Sequence, residues 1–162
     1  MNIQNQNISN TTYPELNLSG SLLYGNTATQ TNWLSCALHG TRFKWSKLDY
    51  STFRHCVGAA KLQKTSLRGA LLYKCNMTGS NFKKADLTGA TLRGSFEGCN
   101  FKNARLRKAN LANTSLAGSS FKGADLRNAD LSYCDLTGCD FNNANIQNIN
   151  LTNAVLTGAT GL

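Results

Sequence analysis

Four regularly spaced aspartates are the most obvious candidates for chemistry in this sequence of 162 residues. Carboxylates that converge on one point can hold a hard metal ion or act as a general acid and base. The chain also has two histidines, His39 and His55. The aspartates recur at intervals of five residues, as Asp125, Asp130, Asp135 and Asp140. Whether their side chains converge depends on the fold that carries them.

Six cysteines raise the separate prospect of disulfides or a metal site. No two of them form a C-x-x-C pair, the spacing typical of zinc ligands. Five stand two residues before a large apolar residue, in a slot that Ala, Ser or Thr fills elsewhere: Cys36, Cys75, Cys99, Cys134 and Cys139. We therefore interpret them as small buried side chains and predict no metal site.

The backbone that positions these side chains has a period of five. Every fifth residue from Phe101 to Leu156 is apolar, twelve in succession, in a chain that is only 41% hydrophobic. The residue two places before is small in eleven of the twelve cases, with Ile149 as the exception. This period fits neither an α-helix nor a flat strand. It requires a backbone that turns a corner every five residues, which is the signature of a solenoid.

The same spacing covers nearly the whole chain, and we call each apolar residue of the series a centre. We count 29 centres between residues 18 and 156. Two steps are four residues long instead of five, from Phe53 to Val57 and from Leu92 to Phe96. Each of these steps predicts a coil that is one residue shorter than its neighbours.

No linker or change of composition interrupts the repeat, so we predict a single domain. We divide the chain into a polar segment at 1–15, the repeat proper at 16–158 and a short tail at 159–162. Apolar residues at the same spacing within 1–15 make that segment a candidate first coil.

Several of the five-residue units resemble a known family. Ala85-Asp-Leu-Thr-Gly, Ala109-Asn-Leu-Ala-Asn, Ala124-Asp-Leu-Arg-Asn and Ala129-Asp-Leu-Ser-Tyr are similar to the A-(D/N)-L-x-x unit of pentapeptide-repeat proteins. The resemblance implies an all-β fold, a right-handed quadrilateral β-helix with one repeat on each of four faces. For this chain it implies about eight coils.

On that geometry every fourth centre shares a face, and we name the faces first to fourth. The first face has the centres Leu23, Phe43, Leu62, Phe82, Phe101, Phe121 and Phe141. The second has Ala28, Leu48, Leu67, Leu87, Leu106, Leu126 and Ile146. The third has Trp33, Phe53, Leu72, Leu92, Leu111, Leu131 and Leu151. The fourth has Leu18, Leu38, Val57, Met77, Phe96, Leu116, Leu136 and Leu156.

This sorting makes three predictions about the interior and the corners. Five of the seven phenylalanines fall on the first face and should stack as structural core: Phe43, Phe82, Phe101, Phe121 and Phe141. The second residue after each fourth-face centre is nearly always glycine, as a corner with positive φ requires. The four aspartates fall on four different faces and point outward, so we predict neither a catalytic nor a metal site.

The basic residues are distributed unevenly, in a chain of net charge +9. The first face carries Arg42, Lys44, Lys61, Lys64, Lys83, Lys84, Lys102 and Lys122. The second carries Lys47, Arg68, Arg105, Arg107, Lys108 and Arg127. The third carries Arg54, Lys74 and Arg93, and the fourth carries none. All residues of the first two sets except Lys47 are our candidate partner-binding residues. Tyr24, Trp45 and Tyr50 are aromatic residues near the N-terminal end of this surface.

The basic faces have two interpretations. One is a docking stripe for a long acidic partner, either nucleic acid or an acidic protein surface. The other is a solvated lysine surface that prevents sideways aggregation. On the second face, Asp86, Arg105 and Asp125 occupy equivalent positions one coil apart, which predicts an alternating charge stack with Arg105 between the carboxylates.

We therefore predict a non-enzymatic binding or scaffold protein without a cofactor. The resemblance offers an alternative, since some family members bind DNA gyrase or topoisomerase IV and confer quinolone resistance through an acidic, DNA-like surface. The net charge of +9 disfavours that alternative. A secreted bacterial effector is a third hypothesis.

The sequence also bears on location and assembly. There is no apolar run of membrane-spanning length and no apolar leader, so we expect a cytoplasmic protein, with a non-classical secretion route left open. A homodimer through an exposed terminal coil is a further expectation.

Overall fold

The computed structural model describes all 162 residues, and its backbone is a stack of parallel coils. Its longest ladder of parallel bridges joins Asn2, Leu22, Arg42, Lys61, Asn81, Asn100, Ser120, Asp140 and Thr160. Successive rungs are 20 or 19 residues apart, so the nine rungs delimit eight coils. The predicted all-β solenoid is confirmed. No helix in the structure is long and apolar enough to cross a membrane.

The third face is the most regular, because its residues form a five-stranded parallel sheet. Its strands are β1 (Thr12–Pro14), β2 (Asn32–Leu34), β3 (Thr52–Arg54), β4 (Leu71–Asn76) and β5 (Thr91–Ser95). They pair in chain order, with Tyr13, Trp33 and Phe53 in register. The other three faces are joined by isolated parallel bridges.

Corners form because the chain makes a tight turn after most centres. The carbonyl oxygen of Met77, for example, accepts a hydrogen bond of 3.0 Å from the backbone N–H of Ser80. The intervening Gly79 has a φ of 73°, the left-handed conformation that the third residue of a type II turn requires. The predicted glycine column has this conformation at seven positions: Gly20, Gly40, Gly79, Gly98, Gly118, Gly138 and Gly158.

The interior is one continuous core of 39 buried apolar residues. On the first face the rings of Phe82, Phe101, Phe121 and Phe141 stack in parallel, with centroids 4.9–5.0 Å apart. That separation matches the spacing between coils, so each ring fills the space above its neighbour. Phe43 is separated from this stack by Leu62 and packs edge-on against Trp33 and Phe53. All five predicted core phenylalanines are buried.

The prediction that Val57 is an inward centre was wrong. Val57 is 44% exposed and bridges Ala37 and Asn76, which are residues that precede a centre. Gly58 is buried and takes the centre position, since its N–H donates to the carbonyl of Asn76. A side chain there would collide with His39 of the previous coil. A glycine centre has no apolar side chain to mark it in the sequence. The neighbouring Val57 is apolar and was therefore taken as the centre.

This correction moves the first shortened corner. The step from Phe53 to Gly58 is a full five residues, and the four-residue step falls between Gly58 and Leu62. Ala59 is the second residue after Val57 and would be the one alanine in the glycine column, but it aligns with His39. The first short corner therefore lies between the fourth and first faces.

The second short corner lies where we predicted it, between Leu92 and Phe96. There β4 contains one residue more than β5, and the register shifts between Tyr73 and Cys75. Gly94 pairs with Cys75 in a conformation with a φ of 135°. A Cβ atom at Gly94 would collide with the carbonyl oxygen of Cys75, so the short corner requires glycine.

Both terminal coils of the solenoid are less buried than its middle. At the N-terminal end, Asn2 and Asn7 bridge Leu22 and Thr27, so residues 1–15 are part of the first coil. Ile3, Ile8 and Leu151 are only partly buried, and Leu156 is 38% exposed. Homodimer formation through an exposed terminal coil stays a prediction.

Phe121→Ala should lower the free energy of unfolding by about 3–5 kcal/mol, because the stacked column cannot close the cavity that remains. Phe121→Leu should cost much less, since leucine fills the equivalent position at Leu62. Urea unfolding of the two variants measures the difference. Wild-type stability of Phe121→Ala would contradict the stacked column.

Gly94→Ala and Gly98→Ala form a matched pair at neighbouring glycines of positive φ. Gly98→Ala should cost about 1 kcal/mol, because its Cβ would meet no atom within 4 Å. Gly94→Ala should cost a further ~1–3 kcal/mol through its collision with Cys75. Thermal unfolding compares them, and equal costs would refute the assigned short corner.

Candidate nucleic-acid interface

The positive charge is concentrated on one side of the solenoid. The first face carries eight Lys and Arg residues and one carboxylate, that of Asp140, for a net charge of +7. The net charge is +3 on the second face, +1 on the third and −2 on the fourth. All candidate residues therefore lie on two adjacent faces that together carry a charge larger than that of the whole chain.

Backbone hydrogen bonds hold the first-face lysines at a fixed spacing. Lys83, Lys102 and Lys122 each follow the centre of their coil. The carbonyl oxygens of Lys102 and Lys122 accept hydrogen bonds of 3.0 Å from the backbone N–H groups of Lys84 and Asn103, each in the preceding coil. Successive lysines of this column are therefore one coil apart, or about 4.8 Å.

Trp45 lies at the N-terminal end of the same face, and two lysines approach its ring. The Nζ atoms of Lys44 and Lys64 lie 4.3 and 5.2 Å from the centroid of its ring. The ring of Tyr24 meets it edge-on, with centroids 5.2 Å apart. Trp45 is 45% exposed, so this aromatic and basic cluster faces solvent.

Two shallow grooves flank the cluster. One, of about 430 Å³, contains Gln4, Leu22, Tyr24, Arg42, Lys61 and, at its edge, Lys44 and Gln63. The other, of about 360 Å³, lies towards Lys83 and shares Lys44 and Gln63 with the first. Sequence reasoning missed Gln63, although it occupies the same position after its centre as Lys44 and Lys83, and that column could have identified it.

The second face has a groove of about 660 Å³ in which cations and carboxylates are mixed. The predicted register is confirmed, since Arg105 bridges both Asp86 and Asp125 through the backbone. The predicted sandwich is wrong. Arg105 approaches only Asp86, at 3.8 Å, whereas Asp125 binds Arg127 at 2.6 Å and Arg107 at 3.8 Å. Two nearby guanidinium groups outcompete Arg105 for that carboxylate.

The side chains of the four regularly spaced aspartates do not converge on one point. Each bridges a different column of the coil, and each accepts a hydrogen bond from the backbone N–H two residues later. The hydroxyl and then the backbone N–H of Ser132 lower the pKa of Asp130, and those of Thr137 lower the pKa of Asp135. The Arg127 guanidinium lowers the pKa of Asp125. No group of three or more His, Cys, Asp or Glu side chains is arranged to hold a metal. Their role is to fix the corners.

Comparison with known proteins identifies the repeat. A family model described as a pentapeptide repeat region matches residues 93–160, and one for eight copies of pentapeptide repeats matches residues 58–94. The chain is a pentapeptide-repeat protein. A search of curated proteins finds no significant match.

Three solved structures illustrate what this chain is similar to. HetL of the cyanobacterium Nostoc sp. strain PCC 7120, which is involved in regulating heterocyst differentiation, is 25% identical over 98% of this chain and 88% of its own, with a TM-score of 0.43. Full-length QnrB1, a plasmid-mediated fluoroquinolone resistance protein, is 16% identical over 95% and 92%, with a TM-score of 0.37. Rfr23 of Cyanothece 51142 is 16% identical over 98% and 90%, with a TM-score of 0.22.

All six cysteines of this pentapeptide-repeat protein are buried and free. The thiols of Cys99, Cys134 and Cys139 donate hydrogen bonds of 2.9–3.3 Å to carbonyls of the preceding coil. Ser119 makes the same contact through its hydroxyl, at 2.9 Å. Cys56, which we had not placed inward, does so too, because its centre is Gly58 rather than Val57. The slot thus accepts small side chains, and a thiol or hydroxyl placed there donates to a carbonyl of the preceding coil.

Burial raises the pKa of Cys99 from 9.0 to about 12 and that of Cys134 and Cys139 to about 11. Between pH 9 and 11 the unfolded chain therefore binds fewer protons at these thiols than the folded chain. The free energy of unfolding should fall as the pH rises through this window, by up to about 1.4 kcal/mol per pH unit for each thiol.

Denaturant unfolding across this pH range checks the prediction. A variant with Cys134→Ala and Cys139→Ala is the control, because it should show a shallower decline than wild type. Equal slopes would show that the thiols do not remain protonated in the folded protein.

Proposed function

We propose that this protein binds nucleic acid without catalysis, through its basic first and second faces. The observation that carries the proposal is the stacking of like charges on the first face. Arg42 and Lys61 are direct bridge partners, and Lys83, Lys102 and Lys122 follow one another in a single column. Like charges on adjacent strands repel and destabilise the fold. A polyanion would remove that repulsion.

The second face shows how the same fold avoids this cost. There Asp86, Arg105 and Asp125 alternate in sign along one column. Alternation was therefore available to the first face, but that face has only one carboxylate, Asp140 in the last coil. A general anti-aggregation role would place lysines on all four faces, whereas the fourth face has none.

The length of the basic surface favours a polymer over a small anion. Lys44 and Lys122 belong to the same column and are four coils apart, which is about 19 Å at the spacing of parallel strands. Lysine side chains are flexible and bind phosphate as point charges. They position a nucleic acid without reading its bases, so we expect affinity with little sequence preference.

The structure of the interior argues for binding rather than catalysis. Stacked Phe and Leu side chains fill the core, and the grooves on the basic faces are shallow and open. The alternative of a DNA-like surface that binds gyrase is not favoured, because the two faces with the highest charge are positive.

Two charge-matched triple variants test the facial claim. Lys83→Glu, Lys102→Glu and Lys122→Glu change the first face, and Arg54→Glu, Lys74→Glu and Arg93→Glu change the third. Each lowers the net charge from +9 to +3. Binding of fluorescent DNA and RNA is followed by anisotropy between about 50 and 200 mM salt.

Wild type should bind with an affinity that falls steeply as salt rises. The first-face variant should bind much more weakly, with a salt slope shallower by about 2 on single strands and about 3 on duplex DNA for the three lost phosphate contacts. The third-face variant should bind nearly as wild type does. Equal losses of affinity in the two variants would show that binding depends on net charge and not on which face carries it. A wild type that binds neither DNA nor RNA would overturn the proposed function.

A further inference from the structure

We propose that Trp45 is a stacking platform for an unpaired base, so that the first face prefers single-stranded nucleic acid to duplex. This inference rests on the proposed function and goes beyond it, because charge alone does not distinguish the two forms. Aromatic side chains beside a basic track bind single strands by stacking, and every base offers a π-face. Bases in a duplex have both faces covered by their neighbours.

The choice of residue at position 45 is the first support. Trp45 occupies a corner with a φ of 61°, a left-handed conformation that it shares with 18 other non-glycine residues of this chain. The same corner of other coils holds Gly25, Lys64, Lys84, Asn103, Gly123 and Asn143. Because glycine, lysine and asparagine all satisfy this corner, the fold has no need of an indole here.

The exposure of Trp45 is the second support. The other tryptophan, Trp33, is 1% exposed, and its Nε1–H donates a hydrogen bond of 2.9 Å to Thr31. Trp45 is 45% exposed and makes no such bond. One indole thus belongs to the core, and the other is held at the surface among cations.

The lysines around the ring are placed to change partners when a strand binds. The ammonium groups of Lys44 and Lys64 lie near the ring in the free protein. Cation–π contacts at exposed sites are weak, and lysine stems are flexible, so each ammonium can move from the ring to a phosphate. The vacated ring face then accepts a base, and phosphates on either side of that base remain neutralised.

The two grooves that share Lys44, the neighbour of Trp45, give the strand a path. One contains Arg42 and Lys61, and the other contains Lys64, Lys83 and Lys84. Gln63 lies at both, and its Oε1 atom is buried with no hydrogen-bond partner. Rotation of this amide towards an arriving base would pair it with an exocyclic amino group or a ring N–H.

Trp45→Asn and Tyr133→Asn are a matched pair of variants. Tyr133 is also an exposed aromatic residue at a corner, with a φ of 57°, but it lies on the third face. Asparagine occupies the equivalent corner in other coils at both sites, as at Asn103 and Asn113, so both variants should fold. Neither substitution changes the net charge.

The probes are a single-stranded oligothymidylate, a DNA duplex of the same length and heparin. Trp45→Asn should weaken binding of the single strand by roughly tenfold or more, as expected for one stacked base. Its affinity for the duplex and for heparin should be unchanged. Tyr133→Asn should bind all three probes as wild type does. In wild type, the single strand should quench tryptophan fluorescence and heparin should not.

Each other outcome has a distinct meaning. If the single strand loses no more affinity than heparin, or causes no quenching, the platform is refuted while nucleic-acid binding by the basic faces stands. If all three probes weaken equally, Trp45 only positions Lys44 and Lys64, and the platform is again refuted. If wild type binds none of the probes, the proposed function and the platform both fail.

Discussion

The hydrogen bond from a backbone N–H of one coil to a carbonyl of the next determines where every outward side chain of this protein lies. Of 108 backbone hydrogen bonds, 98 lie outside strands β1 to β5. Bonds between coils and bonds within the corner turns therefore hold most of the backbone in place. Because these bonds repeat every 20 or 19 residues, a residue type that recurs in the sequence recurs in a straight column on the surface. A lysine that recurs at one position of the repeat therefore forms a straight row of cations on the surface.

The same constraint explains why the fold could be predicted from sequence and where prediction failed. The five-residue period identifies the inward-facing residue of most repeats directly. It therefore predicted stacked rings such as those of Phe101 and Phe121, whose centroids lie 5.0 Å apart. The error at Val57 arose because Gly58 meets a steric requirement and has no hydrophobic signal. A register read from apolar residues fails where a centre has no side chain.

The sequence predicted which residues of the candidate site share a column, but not which side chains contact each other. The column of Lys83, Lys102 and Lys122 follows from spacing alone, as does the register of Arg105 with Asp86 and Asp125. Which carboxylate an exposed guanidinium selects depends on side-chain conformation, and such pairs are worth only about 0–1 kcal/mol. The lysines around Trp45 also required coordinates, because Lys64 reaches the ring from a different coil.

Lysine acetylation read by mass spectrometry, with and without a bound single-stranded oligonucleotide, tests the central claim that binding is confined to particular faces. Lys83, Lys84 and Lys102 should be protected by the oligonucleotide, because they share the first face. Lys74 should stay as reactive as in the free protein, because it projects from the third face. Equal protection of Lys74 and the first-face lysines, or no protection at all, would contradict the account.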